Sequence, residues 1–140
     1  MALFFYGKTG MVVGHGIKSL CMALQKKLLV VDDEEDFCRL IVLMLQQDAF
    51  KVECAFTLKD AAQKLEEDHP AILLLDNNLP DGTGIDFLVR SKTKLPVGHV
   101  ILITADSSEQ LKQRARDAGV LFLSKPFGLT RIREMIKEIS

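Results

Sequence analysis

Five short apolar runs alternate with five helix-like segments between residues 28 and 139. Four of these runs are nearly continuous in Leu, Ile and Val, a pattern typical of parallel strands that helices cover on both faces. The run at residues 51–55 instead alternates polar and apolar side chains, which indicates an edge strand. Because the connections are short and such crossovers are right-handed, the sequence predicts an α/β fold with a doubly wound five-stranded parallel sheet and five helices.

The boundaries of these segments follow from apolar spacing and from capping residues. In the first helix Phe37, Ile41, Met44 and Leu45 share one stripe, and Thr57 is a suitable N-cap for the second helix. The predicted strands are residues 28–32, 51–55, 71–76, 98–103 and 120–124. The predicted helices are residues 35–48, 58–67, 84–92, 107–117 and 129–139.

Composition separates a short leader from one folded domain. The chain has 140 residues, 48% hydrophobic and 26% charged, with a net charge of −1, which argues against a broad nucleic-acid-binding surface. Residues 1–27 carry four lysines and no acid, so they contribute +4 and the remainder −5. The leader does not resemble a signal peptide, because it lacks an initial basic region, and no apolar run is long enough to span a bilayer. We expect residues 1–27 to be an N-terminal extension, of which residues 1–21 are upstream or added sequence without a role in the chemistry, and residues 28–140 to form the domain.

The three cysteines, Cys21, Cys38 and Cys54, sit among apolar neighbours. Their number is odd, and no Cys-x-x-Cys or Cys/His spacing suggests a zinc site. They are therefore expected to be buried reduced thiols, which fits a cytoplasmic location.

Polar residues stand directly after four of the five apolar runs. In an open parallel sheet the carboxyl ends of the strands form the edge where ligands bind, so these residues are expected to converge on one pocket. They are Asp32-Asp33, Asp76, Thr104-Ala105 and Lys125-Pro126.

The expected pocket has the chemistry of a phosphoryl-transfer site. Asp32, Asp33 and Asp76 would repel one another unless some were protonated or a cation lay among them. Oxygen ligands with room for water suit Mg²⁺, which uses only one or two carboxylates directly. Asp76 stands alone at a strand end and is the expected nucleophile. Lys125 supplies a positive charge for phosphate oxygens, and the Thr104 hydroxyl can donate a hydrogen bond.

Four stretches of the chain carry the motifs of one known family. They are Val31-Asp32-Asp33-Glu34, Asp76 with Leu79-Pro80-Asp81-Gly82 after it, Thr104-Ala105, and Lys125-Pro126-Phe127. Through these motifs residues 28–139 resemble the receiver domain of bacterial two-component response regulators. The resemblance implies a flavodoxin-like fold and a phosphoacceptor signalling domain. Such a domain accepts a phosphoryl group from a sensor histidine kinase or a histidine phosphotransfer protein, in a Mg²⁺-dependent reaction, and changes its surface to control an output partner.

The resemblance also implies a role for each matching residue. Asp76 would be the phosphoacceptor, and Asp33, Asp76 and the backbone carbonyl of Asn78 would bind Mg²⁺, with Asp32 acting one step removed from the ion. Lys125 would contact the phosphoryl group, and the bond from Lys125 to Pro126 would be cis.

Further residues match variable or switching positions of the family. Thr104 and Phe122 match a switch pair in which phosphorylation draws the threonine inward and the aromatic ring rotates, although Phe122 also fits ordinary core packing. Asn78 and Asp106 match the sites that tune attack by water, and together they predict comparatively fast self-dephosphorylation. Asn77 departs from the apolar residue that usually follows the phosphorylated aspartate.

Three other classes of protein remain as alternatives. One is a receiver-like interaction module that is not phosphorylated, and another is a phosphatase of the haloacid-dehalogenase type. The second class requires an acid where this chain has Asn78. Flavodoxin shares the fold, but an acidic pocket would repel a flavin phosphate. The domain is not expected to be an enzyme with a separate substrate, to bind nucleic acid directly or to bind a membrane. The cognate kinase, the output partner and whether the domain forms a homodimer stay open.

Overall fold

The computed structural model describes residues 25–91, 95 and 97–140. Five parallel strands form one sheet, β1 (Lys26–Val31), β2 (Phe50–Ala55), β3 (Ile72–Asp76), β4 (His99–Thr104) and β5 (Leu121–Ser124). The helices are α1 (Glu35–Leu45), α2 (Leu58–Glu67), α3 (Gly84–Ser91), α4 (Glu109–Asp117) and α5 (Leu129–Ile139). A two-residue antiparallel hairpin pairs Asn78–Leu79 with Gly82–Thr83. The predicted α/β architecture is confirmed.

The strand order across the sheet is β2-β1-β3-β4-β5, so β2 lies at an edge as its alternating sequence predicted. The order reverses direction at β1 and β3, which are neighbours in the sheet. Their carboxyl ends therefore open onto the crevice in which doubly wound folds bind ligands.

The helices cover both faces of the sheet, which explains why its central strands read as continuous apolar runs. Helices α1 and α5 pack on one face through residues such as Ile41 and Ile132, both 0% exposed. Helices α2, α3 and α4 cover the other face through Ala61, Leu88 and Leu111, among others. Every residue of β3 is buried, so the strand that ends at Asp76 lies at the centre of the molecule.

Some predicted boundaries differ from the structure for local reasons. The first helix ends at Leu45 and not at residue 48, and residues 46–49 form a turn that leads into β2. Helix α4 begins at Glu109 and not at residue 107, because the Ser108 hydroxyl oxygen accepts the Leu111 N–H as an N-cap. Strand β1 begins at Lys26, inside the predicted leader, and residues 1–24 of the leader lie outside the described residues.

The expectation of reduced thiols is wrong for two of the cysteines. Cys38 on α1 and Cys54 on β2 are paired as a disulfide, with their Cα atoms 6.3 Å apart. Sequence spacing did not reveal the pair, because it forms only when α1 packs beside the edge strand. Cys21 lies outside the described residues.

Candidate functional site

Three carboxylates converge at the carboxyl ends of β1 and β3. Asp32 and Asp33 directly follow β1, and Asp76 is the last residue of β3, the strand next to it. One carboxylate oxygen of each residue lies within 4.8 Å of the others. The two neighbours in the chain differ in exposure, because Asp32 is 2% exposed whereas Asp33 is exposed to solvent.

Backbone and side-chain contacts hold the segment that carries the first two acids. The Asp32 N–H donates to the Ala55 carbonyl at 3.1 Å, which ties the end of β1 to the end of β2. The Asp32 Oδ1 accepts the Glu34 N–H at 2.9 Å, which forms a turn just before α1. Asp32 is thereby directed inward, and Asp33 stands on the solvent side of the cluster.

Two carboxylate oxygens in this cluster have no hydrogen-bond partner within the described part of the chain. They are Asp32 Oδ2 and Asp76 Oδ1, and both are buried. An unpartnered buried carboxylate oxygen costs free energy unless a cation or a ligand donor satisfies it. Three carboxylates with two such oxygens fit a hard divalent cation that prefers oxygen ligands, as Mg²⁺ does.

Burial raises the pKa values of two of these acids. Burial raises the pKa of Asp32 to about 6 from an ordinary 3.8, the Glu34 N–H opposes this, and the nearby Asp76 carboxylate adds to it. Burial also raises the pKa of Asp76, whereas the Lys125 ammonium and the Asn78 and Asn77 N–H groups favour its ionised form. Without a bound cation, it is therefore unfavourable for all three carboxylates to be ionised at once.

Lys125 places a positive charge beside Asp76. Its Nζ lies 3.7 Å from Asp76 Oδ1, close enough for an ion pair but too far for a hydrogen bond. Lys125 follows β5, its backbone N–H donates to the Thr104 carbonyl at 2.8 Å, and its bond to Pro126 is cis as expected. The lysine thus reaches the acidic cluster across β4, which lies between β3 and β5.

Thr104 ends β4 with its side chain fully buried. Its Oγ1 accepts the Asp106 N–H at 3.0 Å, and within the described residues its hydroxyl donates to no acceptor, so it can donate to a ligand. Leu102 pairs with Phe122 and Thr104 with Ser124 in the β4–β5 register, so Thr104 and Phe122 point to the same face of the sheet. Phe122 is partly buried against the core under α2, α3 and α4.

Asn78 and Asp106 lie at the exposed rim of the site. Asn78 begins the short hairpin after β3, and Asp106 follows β4. One Asp106 carboxylate oxygen accepts the Ser108 N–H at 2.9 Å. A polar amide and a carboxylate, both exposed, therefore follow the ends of the neighbouring strands β3 and β4.

The sequence did not predict the supporting roles of two residues, Asn77 and Asp81. Asn77, beside Asp76, accepts the Gly84 N–H on its backbone oxygen at 2.8 Å and the Ile85 N–H on its side-chain oxygen at 3.0 Å. It therefore satisfies the first two N–H groups of α3. Asp81 does the same for α2, because its carboxylate accepts the N–H groups of Leu58 and Lys59. Asparagine and aspartate commonly cap helices. Asp81, however, caps a helix that begins 23 residues earlier in the chain, and the hairpin separates Asn77 from the helix that it caps.

Comparison with known proteins places these features in one family. A family model described as the response regulator receiver domain matches residues 28–137. The response regulator protein PilR of Pseudomonas aeruginosa is 34% identical over 113 residues, covering 80% of this chain and 25% of PilR. The transcriptional regulatory protein KdpE of Escherichia coli is also 34% identical over 113 residues, covering 79% of this chain and 49% of KdpE. The chain thus spans a quarter to a half of these relatives.

Solved structures agree with this match. The non-phosphorylated HemR receiver domain of Leptospira biflexa is 27% identical, with a TM-score of 0.72 over 81% of this chain and 93% of that chain. A CheY-like response regulator receiver domain protein of Methanospirillum hungatei is also 27% identical, with a TM-score of 0.73 over 81% of this chain and 91% of its own. In the described residues, no helix is both long and apolar enough to cross a membrane.

Proposed function

Because the chain belongs to the response regulator receiver domain family, we propose that it is a phosphoacceptor domain in which Asp76 takes a phosphoryl group from a histidine kinase or a histidine phosphotransfer protein. The observation that carries this proposal is the buried Oδ1 of Asp76, which accepts no hydrogen bond within the described residues and lies 3.7 Å from Lys125 Nζ. That arrangement offers a nucleophilic oxygen beside a fixed positive charge.

The metal in this proposal is Mg²⁺, which Asp33, Asp76 and the Asn78 carbonyl would hold; the structure groups the carboxylates of Asp32, Asp33 and Asp76. When bound, the ion neutralises the negative charge of the carboxylates and of the phosphoryl oxygens. Asp76 must be ionised to attack, and the Lys125 ammonium and two backbone N–H groups favour that form. The Asp76 oxygen forms the new bond to phosphorus as the bond to the donor histidine nitrogen breaks.

Lys125 and Thr104 would receive the phosphoryl oxygens. Lys125 would move from its ion pair with Asp76 to the new dianionic group, and the Thr104 hydroxyl would donate a hydrogen bond to it. Inward movement of Thr104 would open space on the face of the sheet where Phe122 lies. Rotation of the partly buried Phe122 ring would then favour a second packing of the surface near β5 and α5.

The proposed partners follow from this switch. An output domain or a separate target protein would read the changed surface, and the domain itself would act from the cytoplasm without binding nucleic acid or membrane. Its only chemistry would be its own phosphorylation and the hydrolysis of the product. The relatives PilR and KdpE are a response regulator and a transcriptional regulator, and their lengths leave room for output regions.

The test is intact-mass spectrometry after incubation with Mg²⁺ and acetyl phosphate. Wild-type protein is expected to gain one phosphoryl adduct that depends on Mg²⁺, and Asp76→Asn is expected to gain none. Asp106→Asn is a matched control, since it removes a nearby exposed carboxylate that is not the proposed nucleophile. An adduct that persists in Asp76→Asn would identify another nucleophile. Folded wild-type protein without any adduct would favour the interaction module that works through its surface alone.

The rim residues would set how long the phosphoryl group lasts. Asn78 and Asp106 together could orient a water molecule towards phosphorus, so Asn78→Ala and Asp106→Ala are expected to slow loss of the adduct by about tenfold or more. Decay is followed by intact mass after removal of the donor and of Mg²⁺ with a chelator, and again with Mg²⁺ retained. Unchanged decay rates in both variants would contradict this role.

A further inference from the structure

The disulfide between Cys38 and Cys54 has no part in the proposed phosphoryl transfer, yet it lies next to that site. Cys38 is in the first turns of α1, which begins two residues after Asp33. Cys54 is the second-to-last residue of β2, and the next residue, Ala55, accepts the Asp32 N–H. The disulfide therefore joins α1 and β2, and both of these are connected to the segment that carries Asp32 and Asp33.

Both cysteines line an open groove on the surface. The groove has a volume of about 320 Å³, and both cysteines line it together with Val42, Leu43 and Phe56. Cys38 is 2% exposed, whereas Cys54 is only partly buried. Because Cys54 is the more exposed of the two residues, we expect a small thiol or disulfide molecule in this groove to react with Cys54 first.

The Cα atoms of the two cysteines are close enough for a disulfide bond. The Cα separation of 6.3 Å lies within the range of protein disulfides. In a reducing compartment such as the proposed cytoplasmic location, disulfides are usually transient, and those that are accessible are exchanged most readily. A paired and accessible site of this kind is therefore expected to open and close.

We propose that Cys38 and Cys54 form a redox-modification site for low-molecular-weight thiols and disulfides, and that closing the bond holds the segment carrying Asp32 and Asp33. The effect on Mg²⁺ binding rests on the proposed function, whereas the bond and its local effect do not. When the bond is closed, both ends of this segment are attached to β2. Asp32 is attached through its hydrogen bond to Ala55, and α1, which follows Asp33, is attached through the disulfide.

The exchange chemistry is balanced with oxidised glutathione as the oxidant. The Cys54 thiolate attacks one glutathione sulfur, forming a mixed disulfide and releasing one glutathione thiolate. The Cys38 thiolate then attacks the Cys54 sulfur, forming the internal bond and releasing a second glutathione. The protein loses two protons and two electrons, and these appear in the two reduced glutathione molecules. An excess of a small thiol reverses both steps.

The experiment compares the full-length chain after treatment with oxidised glutathione and after treatment with dithiothreitol. Free thiols are blocked with N-ethylmaleimide, and tryptic peptides are mapped by mass spectrometry. Hydrogen exchange of the amides in residues 32–38 is measured without Mg²⁺, and the Mg²⁺ Kd is then measured by calorimetry. Cys54→Ser removes the pair, and Cys21→Ser is the matched control because it keeps both partners.

The oxidised wild type and Cys21→Ser are expected to show a peptide linked through Cys38 and Cys54, slower exchange in residues 32–38, and Mg²⁺ binding tighter by at least about fivefold. Cys54→Ser should show no redox response in any of these measurements. The absence of a linked peptide, or a linked peptide with unchanged exchange, would overturn the proposal. If neither redox form binds Mg²⁺ or takes up phosphoryl, the proposed function fails, and peptide mapping and exchange still decide the redox site.

Discussion

At the scale of single residues, the adjacent aspartates Asp32 and Asp33 have different environments. Asp32 is 2% exposed with an unpartnered oxygen, whereas Asp33 is exposed. The difference arises because the Asp32 N–H completes the pairing of β1 with β2, and its Oδ1 closes a turn onto Glu34. The sequence predicted that both would reach the site, but burial, and with it the raised pKa of Asp32, depends on the strands around them.

Asn77 stabilises the segment next to the candidate site through hydrogen bonds with α3. It lies between the phosphoacceptor candidate Asp76 and the hairpin, is 7% exposed, and bonds the first two N–H groups of α3. An apolar residue at this position could supply only the backbone half of that contact. The side-chain amide therefore links the end of β3 directly to the start of α3.

Removing the Asn77 side chain should destabilise the domain. Asn77→Ala leaves the Ile85 N–H buried without its partner, so the free energy of unfolding is expected to fall by about 1–3 kcal/mol. Urea denaturation measures the change. Asn78→Ala is the matched control, because Asn78 is exposed and its substitution should cost less than about 0.5 kcal/mol. Equal losses in the two variants would show that the side-chain bond contributes nothing.

At the scale of elements, the segment that follows β3 accepts the first N–H groups of two helices. Asn77 accepts the first two N–H groups of α3, and the Asp81 carboxylate accepts the first two N–H groups of α2. These N–H contacts lower the pKa of Asp81, because they favour its ionised form. The segment from Asp76 to Gly84 is thereby connected to both helices, and its position sets the position of the site.

Gly84, the first residue of α3, packs tightly against the end of β3. A Cβ added there would lie 2.7 Å from the Asp76 carbonyl oxygen and 3.0 Å from Leu75 Cγ. Backbone cannot yield as a flexible side chain does, so Gly84→Ala should displace the end of β3 and lower the free energy of unfolding by about 1–3 kcal/mol. The same displacement should slow phosphorylation of Asp76 by acetyl phosphate, measured by intact mass.

Gly128 offers a matched control for Gly84. An added Cβ there meets nothing within 4 Å, and its φ of −86° suits any residue. In Gly128→Ala a stiffer unfolded chain offsets a poorer N-cap, so the stability change should stay within about 0.5 kcal/mol. A Gly84→Ala variant as stable as Gly128→Ala would mean that α3 can move away from β3 at little cost.

At the scale of the whole molecule, buried and surface acids respond to pH in opposite directions. The pKa values of Asp48 and Asp86 are lowered, chiefly by hydrogen bonds from Arg133 and Arg114, so their stabilisation is lost as the pH falls. The pKa values of Asp32 and Asp76 are raised by burial. The stability that these two acids contribute in their protonated forms is fully present below their pKa in the unfolded chain, near 3.8. For Asp32 this stability is lost as the pH rises through about 6.

Magnesium should therefore stabilise the domain more at pH 7.5 than at pH 5. Above about pH 6 Asp32 is ionised and a cation offsets its burial, whereas at lower pH protons compete with Mg²⁺. Thermal unfolding with Mg²⁺ and with a chelator at each pH measures the difference. In the chelator at pH 7.5, Asp32→Asn should be more stable than wild type by about 1–3 kcal/mol, with a smaller gain from Mg²⁺. A Mg²⁺ effect independent of pH would contradict this account.

The sequence alone determined the architecture and most of the residues of the candidate site. Apolar periodicity is local, so five strands, five helices and the edge position of β2 could be predicted from it, as could Asp76 and Lys125 at strand ends. Only the tertiary structure decided the burial of Asp32, the capping of α3 by Asn77 and the pairing of Cys38 with Cys54. Each of these depends on which surfaces of separate elements meet, and that is a property of packing and not of any local stretch of chain.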